Sequence, residues 1–137
     1  MDRPEALALI DRLHAALGGF YAGGDSEPVR ALLSEEVEWH VPGRSAIAGD
    51  YHGVDAVLDY FAQRRDLAQR TLRMHPGETL IGGEHIAVLT DGTATIGGVE
   101  HRWSTLGLYR IRGARIAACW LLPLDPVAFD AVWSRPS

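Results

Sequence analysis

Residues 85–122, HIAVLTDGTATI-GG-VEHRWSTLGLYRIR-GA-RIAACWLL, decide the fold. They divide into three strand-like segments, about 85–96, 99–112 and 114–122, separated by Gly97-Gly98 and Arg112-Gly113-Ala114. Breaks this short join antiparallel neighbours, so this part of the chain is a meander. A fourth strand-like segment, about 70–81, precedes it across Gly82-Gly83.

Upstream the pattern changes. Residues 54–68 place Val54, Val57, Leu58, Phe61 and Ala68 along one side of a helix, with Asp55, Asp59, Gln63 and Asp66 on the other. Residues 35–41 alternate Val37, Trp39 and Val41 against Glu36, Glu38 and His40, a strand that Pro42-Gly43 ends. Residues 44–53 read as a loop or a short hairpin. Residues 2–22 read as a helix: Asp2 and Glu5 have capping-box spacing, and Leu7, Ile10, Leu13, Leu17 and Phe20 recur every three or four residues. Gly23-Gly24 stops it, Asp25-Ser26 opens a short second helix, and Asp125-Pro126 opens a terminal one carrying Phe129, Val132 and Trp133. Helices massed before an antiparallel meander make the class α+β, with helices covering one face of the sheet. At 137 residues the chain is expected to be a single domain, 1–137.

Composition excludes several chemistries. All 13 basic residues are arginine, so a side-chain Schiff base and a P-loop lysine are impossible; asparagine is also absent, which removes N-glycosylation. A net charge of −5 offers no basic footprint for nucleic acid. The acidic start, Met-Asp-Arg-Pro-Glu, lacks a secretory signal, and no apolar run is long enough for a membrane span, so a cytoplasmic location is expected. Six histidines raise the question of a metal, but no His-Glu-x-x-His, His-x-His or cysteine pair occurs, and no metal or other cofactor is expected. Cys119 lies in an apolar segment where a thiol stays uncharged.

The element order, with Ala22-Gly23-Gly24-Asp25, Val37-Glu-Trp-His-Val-Pro-Gly43, Gly49-x-x-x-Gly53 and Tyr109-Arg-Ile-Arg-Gly-Ala-Arg-Ile116, resembles the SnoaL-like branch of the nuclear transport factor 2-like superfamily. The resemblance covers essentially the whole chain. It implies a cystatin-like cone: a strongly curved mixed, mostly antiparallel sheet wrapped around helices, with a cavity inside. It also implies a homodimer formed through the outer sheet face, where Trp120 would be an apolar patch; the absence of lysine and asparagine, whose codons are AT-rich, points separately to a GC-rich bacterial genome. The superfamily includes isomerases, epoxide hydrolases, polyketide cyclases, dehydratases and non-catalytic domains. Laid over ketosteroid isomerase, the chain has Leu17, His40-Val41 and Gly107 where that enzyme carries its catalytic groups, so that machinery is missing.

The same overlay puts Ala87, Leu89, Asp91 and Thr93 on the concave side of their strand and Trp103, Thr105 and Tyr109 on that of the next. Asp91 is then a candidate acid or base with a raised pKa, unless Asp91-Gly92 is a turn or bulge with its carboxylate in solvent. His40 is a second candidate, although an inward Trp39 turns it outward unless Pro42-Gly43 rotates the strand end. His101 shares the parity of Trp103 and is a third, at the rim; His52 could close the mouth. Trp39, Tyr60, Phe61, Met74, Trp103, Thr105, Tyr109, Cys119 and Leu121 would line an apolar, aromatic-rich pocket for a small hydrophobic molecule. Two functions follow: a cofactor-independent acid–base enzyme of cyclase, isomerase, dehydratase or epoxide-hydrolase type, or a non-catalytic binding or assembly domain.

Overall fold

The computed structural model describes residues 2–134; residue 1 and residues 135–137 of the expected domain lie outside the described part. Helix α1 spans Arg3–Tyr21, α2 Glu27–Arg30, β1 Leu33–Val41, β2 Gly49–His52 and α3 Val54–Leu67. The meander follows as β3 Arg73–Gly82, β4 His85–Ile96, β5 Val99–Arg112 and β6 Arg115–Pro123, and α4 Pro126–Val132 closes the chain. These are the expected elements in the expected order, and the loop after β1 resolves into a hairpin with β2 as its second strand.

One six-stranded sheet runs in the order β2-β1-β6-β5-β4-β3. Every pairing is antiparallel except β1 with β6, so the sheet is mixed but mostly antiparallel. Register breaks between Leu33 and Glu38, Pro76 and Thr79, and Arg110 and Ile111 mark irregular pairing. Such bulges increase local twist and bend a sheet around its contents.

Local chemistry fixes the helix ends. Asp2 Oδ1 accepts from the Glu5 amide at 2.9 Å, and Asp125 Oδ1 from the Ala128 amide at 3.1 Å. The C-terminus of α1 forms a Schellman motif: the Gly24 amide donates to Gly19 O and the Gly23 amide to Phe20 O, both at 2.9 Å. Gly23 has φ +106°, a conformation in which a side chain would be strained.

The core sits between the sheet's concave face and the helices. Leu9, Ile10, Leu13 and Leu17 of α1 and Val57, Leu58 and Phe61 of α3 are buried against it. Phe129 of α4 and Trp133 just beyond it fill one end, and the Trp133 ring meets that of Trp103 edge-on at 5.2 Å. Aromatic packing of this kind adds about 0.5–1.5 kcal/mol per pair beyond area burial.

Candidate active site

The cone is lined by both layers. From the helices come His14, Leu17 and Tyr21 of α1 with Phe61 and Arg64 of α3; from the sheet come Trp39, Met74 and Leu121. Strands β4 and β5 supply Thr90, Gly92, Trp103, Thr105, Gly107 and Tyr109. The interior is nearly filled, with a void of about 20 Å³, enough for one water-sized group. Clefts of about 660 and 760 Å³ lie beside α2 and β1, but exposed ion pairs such as Arg30–Asp55 line the first and exposed arginines and glutamates the second. Ionisable groups set into an aromatic wall, rather than volume, single out the cone.

Two of those groups come from the helices. His14 donates from Nδ1 to the Ile10 carbonyl at 2.9 Å, which leaves Nε2 as its free nitrogen. Burial lowers its pKa, and the Ile10 hydrogen bond and the nearby Asp11 offset this only in part, so the ring is a neutral acceptor at physiological pH. Arg64 is 5% exposed. Its Nε has no hydrogen-bond partner, and the arginine ion pairs among the described residues belong to Arg30, Arg65 and Arg102. Aromatic faces surround it instead: the guanidinium carbon lies 5.0 Å from the Trp133 ring centroid and 6.0 Å from those of Tyr21 and Trp103. Burial opposes its charge, the oxygens of Tyr60 and Tyr21 favour it, and the guanidinium stays charged.

The phenols of Tyr21, Tyr60 and Tyr109 are pushed up by burial and remain neutral donors. The Tyr21 hydroxyl approaches Arg64, which restrains its shift, yet it forms no hydrogen bond of good geometry. Burial also raises the Cys119 thiol, which is inert. No carboxylate among the described residues lines the cone.

The candidates expected from sequence separate. Asp91 is not concave. It is exposed on the outer face, accepts from Ser104 Oγ at 2.6 Å, and shares a shallow groove with His75 and Arg102. The inward residues of β4 are Ile86, Val88, Thr90, Gly92 and Ala94, the opposite parity from that expected for Ala87, Leu89, Asp91 and Thr93. Register dictates this: Gly92 pairs with Trp103, and a Cβ at Gly92 would lie 2.3 Å from the indole, so the inward tryptophan takes the space in front of the glycine.

His40 also faces outward. Its Nδ1 lies 2.8 Å from Asp50 Oδ1, its Nε2 3.4 Å from Glu38 Oε2, and its ring stacks on Trp120 at 5.5 Å. His52 joins this outer cluster through Glu38 at 3.3 Å. His101, half-buried opposite Ala94 near the β4–β5 turn, lies outside the cone wall. Trp39, Phe61, Met74, Trp103, Thr105, Tyr109 and Leu121 do stand in that wall. Tyr60 is turned away, buried against Tyr51 with ring centroids 4.7 Å apart, and Cys119 is buried behind Trp39 and Tyr109, its neighbours across the strands. Leu17 and Gly107, where an isomerase would need polar groups, are both in the wall.

His14 and Arg64 were missed, and each had a signal. His14 lies four residues after Ile10 and three before Leu17; Arg64 lies four after Tyr60 and three after Phe61. Both fall on the buried stripe of their helix, where a polar residue requires an explanation. Among the described residues no three histidine, cysteine, aspartate or glutamate side chains converge as a metal site, and no helix is long and apolar enough to cross a membrane.

A family model, the SnoaL-like domain, matches residues 11–119. The chain belongs to the SnoaL-like family. It is 28% identical over 130 residues to an uncharacterized protein of Mycobacterium tuberculosis, covering 93% of this chain and 95% of that one. Among solved structures it is similar to Bal32a from a soil-derived mobile gene cassette, with a TM-score of 0.85 at 24% identity over 95% of this chain and 97% of that one. It also superposes on TerC co-crystallized with polyporic acid, with a TM-score of 0.75 at 20% identity over 90% and 96% of the two chains. A putative polyketide cyclase from Sinorhizobium meliloti gives a TM-score of 0.68 at 15% identity over 83% and 93%. At these identities the likeness to the solved structures is one of fold, and fold alone does not fix the chemistry of a site.

Proposed function

We propose that the protein is a cofactor-independent acid–base enzyme of the cyclase or isomerase type, acting on a small, largely apolar and planar molecule in the cone. The observation that carries this is His14: a half-buried, neutral imidazole whose Nδ1 is tied to Ile10 and whose Nε2 is free in a wall that also holds the unpartnered Tyr21 hydroxyl. Membership of the SnoaL-like family and the likeness to a putative polyketide cyclase support the reaction class. TerC, co-crystallized with polyporic acid, is an example of this fold in a complex with an organic acid.

In this reading Nε2 takes a proton from a carbon beside a carbonyl. The C–H electron pair moves into an enolate, whose oxygen accepts a hydrogen bond from Tyr21, and the imidazolium returns the proton to another carbon or oxygen. Trp39, Phe61 and Trp103 hold the ring of the substrate, which enters by displacing the half-buried, flexible Met74. The convergence of an imidazole and a guanidinium on one cavity weighs against a purely structural assembly domain.

The test is solvent exchange. β-Tetralone is incubated with the protein in deuterated buffer and deuterium uptake beside the carbonyl is followed by NMR. His14→Gln should lower the exchange rate by about 10²-fold or more. Uptake at the wild-type rate in that variant would remove His14 from the mechanism.

A further inference from the structure

Arg64 has no role in that proton transfer, and its position is costly. A guanidinium is ordinarily solvated or paired, and a buried cation with neither a carboxylate nor a full set of acceptors loses hydration without recovering it. Here the cation sits at 5% exposure, its Nε has no acceptor, and the neighbouring oxygens belong to neutral phenols. Its surroundings are the faces of Tyr21, Trp103 and Trp133. Among the described residues the remaining wall supplies one imidazole, two threonines, the Tyr109 phenol and no carboxylate. The missing component is a negative charge, and the small void in the cone is of a size to receive one oxygen of it.

We propose that the cone takes an organic anion, a carboxylate or an ionised acidic enol on an aromatic body, with its charged oxygen on the Arg64 guanidinium. A planar oxyanion suits this group because guanidinium offers parallel N–H donors to it, and the aromatic wall suits the body. Selectivity follows from desolvation. A neutral ligand that seals the cone strips Arg64 of its remaining contact with water and returns nothing, whereas an anion neutralises it in a medium of low dielectric. The negative net charge of the protein does not oppose this locally, because no carboxylate among the described residues lines the site. This inference rests on the cone being the ligand site, as proposed above, but not on His14 acting as a base.

The experiment compares matched acids and neutral analogues by titration calorimetry and by quenching of tryptophan fluorescence, since Trp39 and Trp103 stand in the wall. The probes are 2-naphthoate against 2-naphthamide, and 2-hydroxy-1,4-naphthoquinone against its methyl ether. At pH 7.5 the wild type should bind at least one acid about tenfold or more tighter than its neutral partner. Which pair shows the difference separates carboxylate from enol. Arg64→Met should abolish the difference, Arg64→Lys should retain part of it, and Asp91→Asn, on the outer face, should leave it intact. Equal affinity for acid and neutral analogue in the wild type overturns the anion proposal while leaving the cone as a ligand site. Failure of all four probes to bind overturns both. Should Arg64→Met fail to fold, the wild type and Arg64→Lys decide: an acid preference unchanged by lysine places the anion away from residue 64.

Discussion

If Arg64 is held for a ligand rather than for the fold, replacing it with an apolar side chain of similar length should stabilise the ligand-free protein. Arg64→Met keeps the unbranched stem between α3 and the aromatic wall and removes the charge. The charge contributes cation–π contacts, the closest at 5.0 Å to Trp133 and two others at the outer limit of 6.0 Å; a desolvated contact of this kind is worth up to about 2 kcal/mol. Against it stands the loss of hydration on burial, several kcal/mol for an ion after relaxation. Replacing buried charges by well-packed apolar residues of similar volume is commonly stabilising by about 1–4 kcal/mol. Methionine also recovers about 0.3–1.5 kcal/mol from sulfur–aromatic contact. A net gain of about 2 kcal/mol is expected, and at about 3–5 °C per kcal/mol for a chain of this size it raises Tm by about 6–10 °C. The assay is thermal unfolding followed by circular dichroism in phosphate-free buffer without organic acids. A variant that melts several degrees below the wild type would refute the reasoning, because the guanidinium would then be a structural element whose π contacts outweigh its desolvation.

Four further outcomes follow. Because burial lowers the His14 pKa, the unfolded chain binds a proton there before the folded one does; stability should fall as pH drops from about 6.5 through the lowered folded value. His14→Gln should flatten that limb in urea melts, and the exchange rate of the wild type should fall over the same window. Asp91→Asn should keep the solvent-exchange rate within about twofold and change stability by less than about 1 kcal/mol, since it perturbs one exposed hydrogen bond to Ser104; a loss of activity would return Asp91 to the mechanism. Gly92→Ala should destabilise by about 1–3 kcal/mol in chemical denaturation, because its Cβ meets the Trp103 indole and one of them must move. Leu89, Leu106 and Leu122 form one row across the convex faces of β4, β5 and β6, with Ala87, Leu108 and Trp120 in the next. Leu89 is 37% and Leu122 43% exposed, so light scattering should give twice the 15.0 kDa chain mass, and Leu106→Arg should halve it.

The architecture was legible because its signals are local. Glycine pairs punctuate the meander, Asp2 and Asp125 cap their helices, and the period changes from 3.6 to 2 where α-structure gives way to sheet. The parallel pairing of β1 with β6 was not legible, since it joins residues some 80 positions apart, such as Trp39 and Cys119, through no short turn. The facing of β4 was legible and was misread. Gly97-Gly98 joins Ile96 to Val99, and counting back along both strands from that turn brings Gly92 opposite Trp103 and Asp91 opposite Ser104. Residues directly opposite in an antiparallel pair share a face, so an inward Trp103 requires an inward Gly92 and an outward Asp91. Laying the strand over a family pattern ignored that constraint, and a single residue of offset moved the carboxylate from the convex face into the cone.

The polar groups of the cone were harder to find for a different reason. On a strand every second residue faces inward, so an ionisable residue there invites attention, which is why Asp91, His40 and His101 came forward. On an amphipathic helix the buried stripe is judged by its apolar members, and an isolated histidine or arginine within it is read as belonging to the polar side. His14 breaks the stripe of α1 between Ile10 and Leu17, and Arg64 breaks that of α3 one turn after Tyr60 and Phe61. Arg64 in particular fills a core position with a charge that costs several kcal/mol to bury, which packing does not explain, because leucine or methionine would pack better there. In this molecule the sheet supplies shape, aromatic surface and the Tyr109 phenol, while the imidazole and the guanidinium in the cone wall come from the helices. Substitutions on α1 and α3 should therefore alter chemistry and ligand charge preference, whereas substitutions on the concave strands should alter chiefly the size of what fits.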